Sequence, residues 1–181
     1  MKLTMTPASP ARAPESLLQT ERLRLREMNA ADAPYVLEQL NEPSFIRNIG
    51  DRQVRTLEDA ERYLDNRVIA SYRRHGFGMY VMELKSTGEP VGMAGLVKRD
   101  SLEDVDIGYA LLERHWGQGY ALEAAAAVLA HALKVLELPR VVAITEPANE
   151  ASQALLRKLG LRYVRTLTTS EGVSAFFTTD P

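Results

Sequence analysis

The run Arg114-His115-Trp116-Gly117-Gln118-Gly119-Tyr120-Ala121 carries the chain's clearest chemistry. It follows a strand-like segment, 105–111, and precedes an Ala/Leu-rich stretch that reads as a helix from about Gln118 to Leu136. A helix start leaves backbone N–H groups without partners, and the helix dipole places partial positive charge there. Glycines let an anion approach that backbone without meeting a Cβ. The residues therefore suit a phosphate-bearing ligand, although a plain strand-to-helix turn would use the same glycines. A P-loop is excluded because no Gly-Lys pair occurs. The dinucleotide fingerprint is incomplete, since Leu122 stands where its third glycine belongs.

The elements that must position this turn follow from periodicity and punctuation. Leu17 to Arg26 reads as one strand, its leucines alternating with solvent-facing arginines. Asn29 or Asp32 suits the cap of a first helix running to about Leu40, and Asn41-Glu42-Pro43 breaks it. Thr56-Leu57-Glu58-Asp59 resembles a capping box, and helical spacing continues to Tyr72 before Gly76 stops it. Strands are expected over 77–85 and 91–97, with close packing or a bulge at Gly92 and Gly95. In 105–111, Ile107, Tyr109 and Leu111 share one face, and Asp106, Gly108 and Ala110 the other. Leu122, Ala125, Ala126, Leu129, Leu133 and Leu136 are expected on the inner side of the following helix. The apolar run 141–145 reads as a central strand parallel to 105–111. A short helix to Leu159 and a last hairpin, 161–168 with 173–179, complete the pattern. Residues 1–16, with three prolines, read as a mobile tail, and 17–181 as a single domain.

The composition bounds the function. A net charge of −2 gives no general case for nucleic acid. The chain has no cysteine, which removes disulfides, thiolate metal sites and a cysteine nucleophile together. His75, His115 and His131 lack ligand spacing, so no metal is expected. No apolar run reaches membrane-spanning length. The expectation is a cytoplasmic protein with no membrane and no nucleic-acid partner, monomeric or homodimeric.

Arg114-x-x-Gly117-x-Gly119 resembles the Arg/Gln-x-x-Gly-x-Gly/Ala signature of the GNAT superfamily of acyl-CoA N-acyltransferases. Thr20-Glu21-Arg22-Leu23-Arg24-Leu25-Arg26 is similar to the opening of the branch that contains the ribosomal-protein N-terminal acetyltransferases. So are Ile107-Gly108-Tyr109, the segment Trp116 to Ala124, Asn149-x-x-Ser152 and Leu159-Gly160-Leu161. The resemblance implies an α+β, three-layer GNAT fold. Its sheet would be mixed and mostly antiparallel, of about seven strands, splayed at a central parallel pair and flanked by about four helices. It implies acetyl-CoA as co-substrate and a primary amine as acceptor: a protein N-terminus, an amino acid, a polyamine or an aminoglycoside.

Residue by residue, the resemblance puts the cofactor's pyrophosphate on Gly117, Gln118, Gly119, Tyr120 and Ala121, with Arg114 nearby or simply at the surface. It pairs pantetheine with the backbone of Ala110, Leu111 and Leu112, and brings Asn149 to the same arm; as a helix cap Asn149 has an equal claim. Direct attack of a neutral amine on the thioester needs a proton acceptor, an oxyanion donor and a proton for the leaving thiolate. A backbone N–H within 109–111 is the implied oxyanion donor. Many members carry a tyrosine seven residues after the asparagine, where this chain has Leu156. Ser152 matches the branch's proposed acid instead. Asp106, Glu146 and Glu171 are candidate bases. An α-amine, with a pKa near 7.7 to 8, needs less help than a lysine near 10.4. The alternative is a non-catalytic acyl-CoA-binding or sensory module.

Overall fold

A computed structural model describes residues 16–169 and 172–180. The expected tail, except Ser16, and the candidate base Glu171 lie outside the described residues. Eight strands form one sheet: β1 (Ser16–Gln19), β2 (Leu23–Glu27), β3 (Met79–Leu84), β4 (Pro90–Val97), β5 (Val105–Leu111), β6 (Val141–Thr145), β7 (Arg162–Thr169) and β8 (Gly172–Thr178). Their spatial order is β1-β2-β3-β4-β5-β6-β8-β7, and only β5 and β6 run parallel. The α+β class with a central parallel pair is as expected, with one strand more. The single strand expected over 17–26 divides in two, because Thr20 to Arg22 turn away to meet the helix after β5. Thr20 Oγ1 donates to Glu123 at 2.5 Å, and Arg22 N donates to the same oxygen at 2.8 Å. Of the three arginines expected to face solvent, only Arg24 is exposed without an ion-pair partner among the described residues. Arg22 joins Glu123, and Arg26 joins Asp32 and Glu83.

Helices cover both faces. On one face lie α1 (Ala33–Asn41), α2 (Pro43–Asn48) and a rod made of α3 (Leu57–Tyr63), a π-helical stretch (Leu64–Ile69) and α4 (Ala70–His75). Tyr35, Val36, Leu40, Ala60, Leu64 and Val68 pack there against Val81, Met93 and Leu112. The Thr56 capping box forms with Asp59 as its acid: Asp59 N donates to Thr56 Oγ1 at 3.1 Å, and Thr56 N to Asp59 Oδ2 at 3.0 Å. The helix α2 is an addition to the sequence reading. Pro43 occupies its first turn, and buried Ser44 and Phe45 hold it to the core.

On the other face lie α5 (Tyr120–Lys134) and α6 (Glu150–Lys158). The buried side of α5 includes Ala124, Ala125, Val128 and Ala132; of the residues expected there, Ala125 is buried and Leu129 and Leu136 pack on the core, whereas Ala126 and Leu133 are exposed. Small side chains let the helix axis approach the sheet, and Leu122, Leu129 and Leu133 are rotated onto a groove beside Leu159. Close approach also explains Gly95: a Cβ there would lie 2.1 Å from the Gly78 carbonyl oxygen. Among the described residues no helix is long and apolar enough to cross a membrane.

Candidate active site

The parallel pair β5–β6 is matched at only two positions, Val105 with Val141 and Asp106 with Val142. Beyond them β5 continues to Leu111 and β6 to Thr145 without pairing, so the sheet opens as a wedge. Asp106 sits at its closed end. Its Oδ2 accepts from Arg99 Nε at 2.6 Å, and its Oδ1 accepts from Ile144 N–H at 3.3 Å, a donor that a continued ladder would have satisfied. The residue is 1% exposed. Burial pushes its carboxyl up to about 6, against the pull of the Arg99 guanidinium and the Ile144 N–H.

The strand β5 offers its free edge to the wedge. Leu112 N–H donates to Val91 on the β4 side. By the alternation of a strand, the N–H groups of Tyr109 and Leu111 point the other way, into the gap, whereas that of Ala110 faces β4. Leu111 C=O accepts from Trp116 Nε1 at 3.2 Å. Across the gap, α6 begins beside the end of β6. Asn149 caps it, accepting Ser152 N–H at 3.1 Å. Ser152 Oγ lies 2.9 Å from the Tyr109 hydroxyl, so β5 and α6 present two hydroxyls together. Burial pushes the Tyr109 phenol up to about 12, although its bond to Ser152 pulls it down. Glu146 lies exposed after β6, and Leu156 is buried in the core.

The wedge leads to the glycine turn. Gly117 and Gly119 adopt φ of +74° and +83°, a region that other residues enter at a cost. Gly119 caps α5, and the N–H groups of Gly117, Gln118, Gly119, Tyr120 and Ala121 meet no acceptor among the described residues. The turn is held from outside by Arg22. Its Nη1 donates to Gln118 C=O at 2.9 Å, its Nε donates to Glu123 at 2.7 Å, and its charge sits 4.5 Å above the Tyr120 ring. Arg114 is turned elsewhere. It is an exposed residue paired with Glu38 and, at 3.6 Å, with Glu89.

Thus Tyr109, Ser152 and Asn149 meet at the wedge and the glycine turn follows the end of β5, while Arg114 and Asp106 are each committed to carboxylate or guanidinium partners. The Tyr109 hydroxyl was not anticipated as a functional group, because a tyrosine between Ile107 and Leu111 reads as core. Nor was the Arg22–Glu123 brace, although both residues lie in segments that carry the family resemblance.

The acetyltransferase (GNAT) domain family matches residues 22–162. An uncharacterized protein of Bacillus subtilis, YkkB, is 31% identical over 157 residues, covering 83% of this chain and 87% of its own. An acetyltransferase from Agrobacterium tumefaciens superposes with a TM-score of 0.78 at 26% identity, covering 96% of this chain and 98% of its own. The ribosomal L7/L12 α-N-protein acetyltransferase RimL, solved with coenzyme A, shares the fold with a TM-score of 0.79 at 19% identity over 91% of this chain and 97% of its own. The chain belongs to the GNAT family and is an N-acetyltransferase.

Proposed function

We propose that the protein moves an acetyl group from acetyl-CoA directly to a primary amine, with both substrates meeting in the β5–β6 wedge. The observation that carries the reading is the presence of two sets of backbone N–H groups without acceptors among the described residues: those of Tyr109 and Leu111 on the β5 edge, and those of the glycine turn. An extended amide-bearing arm fits the first, as an added strand would. A pyrophosphate fits the second. Asn149 keeps its capping bond to Ser152 and so fixes the two hydroxyls relative to β5.

The residues divide the work as follows. The Tyr109 N–H stabilises the oxyanion as the amine's N–C bond forms. As the C–S bond breaks, Tyr109 and Ser152 hydroxyls donate hydrogen bonds to the departing sulfur. A phenol near 12 stays protonated throughout the working range. The amine's proton ends on the thiol, so the reaction balances without a covalent enzyme intermediate. Asp106 acts as a wedge pin rather than a base, since both its oxygens are engaged and it is enclosed. An α-amine, partly neutral at pH 7, needs no strong base, which favours an acceptor of the protein N-terminus or amino-acid kind. Exposed Glu146 is the remaining described candidate for taking the proton.

Free-thiol release from acetyl-CoA, followed over a panel of amines, tests the proposal. At least one α-amine is expected to accelerate release and to appear acetylated by mass. Tight coenzyme A binding with no amine-dependent release would point instead to a binding module.

A further inference from the structure

A second recess lies on the opposite face of the sheet from Ser152. It is a shallow, open depression of about 260 Å³ between the segment before α3 and the rod, lined by the exposed Arg52, Arg62, Asn66 and Arg67 and by half-buried Tyr63. Val54 and Tyr63 belong to the same apolar cluster as Met79, Met93 and Ala110. The recess therefore lies on the same side of the sheet as the face of β5 that carries Asp106, Gly108 and Ala110.

Its charge is unbalanced. Asp59, also in the lining, takes Arg62 at 2.5 Å together with the N–H groups of Arg55 and Thr56. Asp51 takes Arg55 at 2.5 Å. Arg52 and Arg67 meet no carboxylate within ion-pair distance among the described residues. Burial raises the pKa of the half-buried Tyr63 phenol, and the positive charges of Arg52, Arg67 and Arg99 each pull against that rise. Like charges gathered without counter-charges repel, and an anion relieves that repulsion.

The backbone is also irregular here in two independent places. The helical rod opens into its π-helical stretch, with Ala70 N–H reaching back to Asp65 C=O, and this stretch carries Asn66 and Arg67. Such wide turns cost regular hydrogen bonding and gather at functional sites. Gln53, next to Arg52, holds φ of +57°, a strained conformation for a residue with a side chain.

We propose that this recess seats an anionic group, a carboxylate or phosphate, belonging to the acceptor, so that the preferred substrate is an amine that carries its own negative charge. This rests on the acetyl-transfer reading above and narrows it: a polycationic amine meets the wrong sign of charge at Arg52 and Arg67. The volume suits a head group and its nearest atoms rather than a whole acceptor.

The test compares matched amines on the full chain. Aminoethyl phosphate is set against ethanolamine for a small-molecule source, and the peptide Ser-Glu-Glu-Leu against Ser-Gln-Gln-Leu for an acidic N-terminal segment, with spermidine as the polycation. In at least one pair the anionic member is expected to show a kcat/KM at least tenfold higher, with spermidine slowest. Arg52→Gln with Arg67→Gln is expected to erase that preference through the acceptor KM, leaving the KM for acetyl-CoA and the rate with the neutral member unchanged. Equal rates within both pairs, or equal losses for charged and neutral amines in the variant, would overturn the inference while leaving acetyl transfer standing. If no amine releases thiol, calorimetry decides it. Aminoethyl phosphate or the acidic peptide should bind the coenzyme A complex of the natural protein and not that of the double variant; no binding to either overturns it.

Discussion

The glycine turn and the arginine recess are both anion sites in form, yet they are built from opposite materials. The turn uses backbone: N–H groups without acceptors, two glycines at positive φ, and a helix N-terminus. The recess uses side chains that a π-helical stretch and a strained residue bring together. A backbone site accepts the part of a substrate that never changes. A side-chain site can be altered one residue at a time, which is where acceptor choice belongs. The donor half and the acceptor half of the reaction are thus separable by mutation.

The sharpest way to break that separation is at the chemistry between them. Tyr109→Phe keeps the ring and the β5 backbone but removes the hydroxyl beside Ser152. It is expected to lower kcat about 100-fold, the low end for loss of one hydrogen-bond donor to developing charge, while the KM for acetyl-CoA holds. Steady-state kinetics on both substrates reads this. Next is Gly119→Ala, which forces a Cβ into φ of +83° and 3.3 Å from Arg22 Nη2. At about 1–2 kcal/mol of left-handed strain, coenzyme A should bind about tenfold more weakly by calorimetry, with the order of preferred amines unchanged.

Asp106→Asn separates a wedge pin from a base. Because the folded-state pKa, about 6, lies above the ordinary aspartate value near 4, the protonated form is favoured by folding. Its stabilising effect is complete below about 4 and is lost as pH rises through about 6. The variant lacks this loss. Relative to the natural protein it should gain roughly 3 kcal/mol between pH 4 and 7, at about 1.4 kcal/mol per pKa unit, as read by denaturant unfolding. Its kcat should stay within about threefold; abolition of activity, with disappearance of a rate limb near pH 6, would make Asp106 the base. The smallest effect is expected from Arg114→Gln. Exposed ion pairs contribute about 0–1 kcal/mol, and this arginine faces Glu38 and Glu89, so coenzyme A affinity should change less than about twofold.

The sequence made the backbone site readable because glycine and strand-to-helix punctuation are local signals. The wedge was readable through the parallel crossover from 105–111 to 141–145. The side-chain features were not, for particular reasons. Helical spacing from Leu57 to Tyr72 runs through the π-helical stretch without an obvious break, so the turn that presents Arg67 left no mark. Arg52 looks like any surface arginine until its neighbours are seen to be paired with others. On α5 the alanine-rich close packing is legible, as at Ala125, but the phase of the helix is not: Ala126 and Leu133 turn outward, while Val128 and Ala132 meet the sheet. Asp106 read as an available carboxylate because its partner Arg99 comes from beyond the end of β4.

Amide hydrogen exchange on the full chain, with and without saturating coenzyme A, separates the backbone site from the side-chain site. Slowed exchange is expected at Gly117 to Ala121 and at Tyr109 and Leu111, whose N–H groups gain acceptors, with no change across 52–67. Unaltered exchange at the glycine turn, or protection confined to 52–67, would contradict that separation.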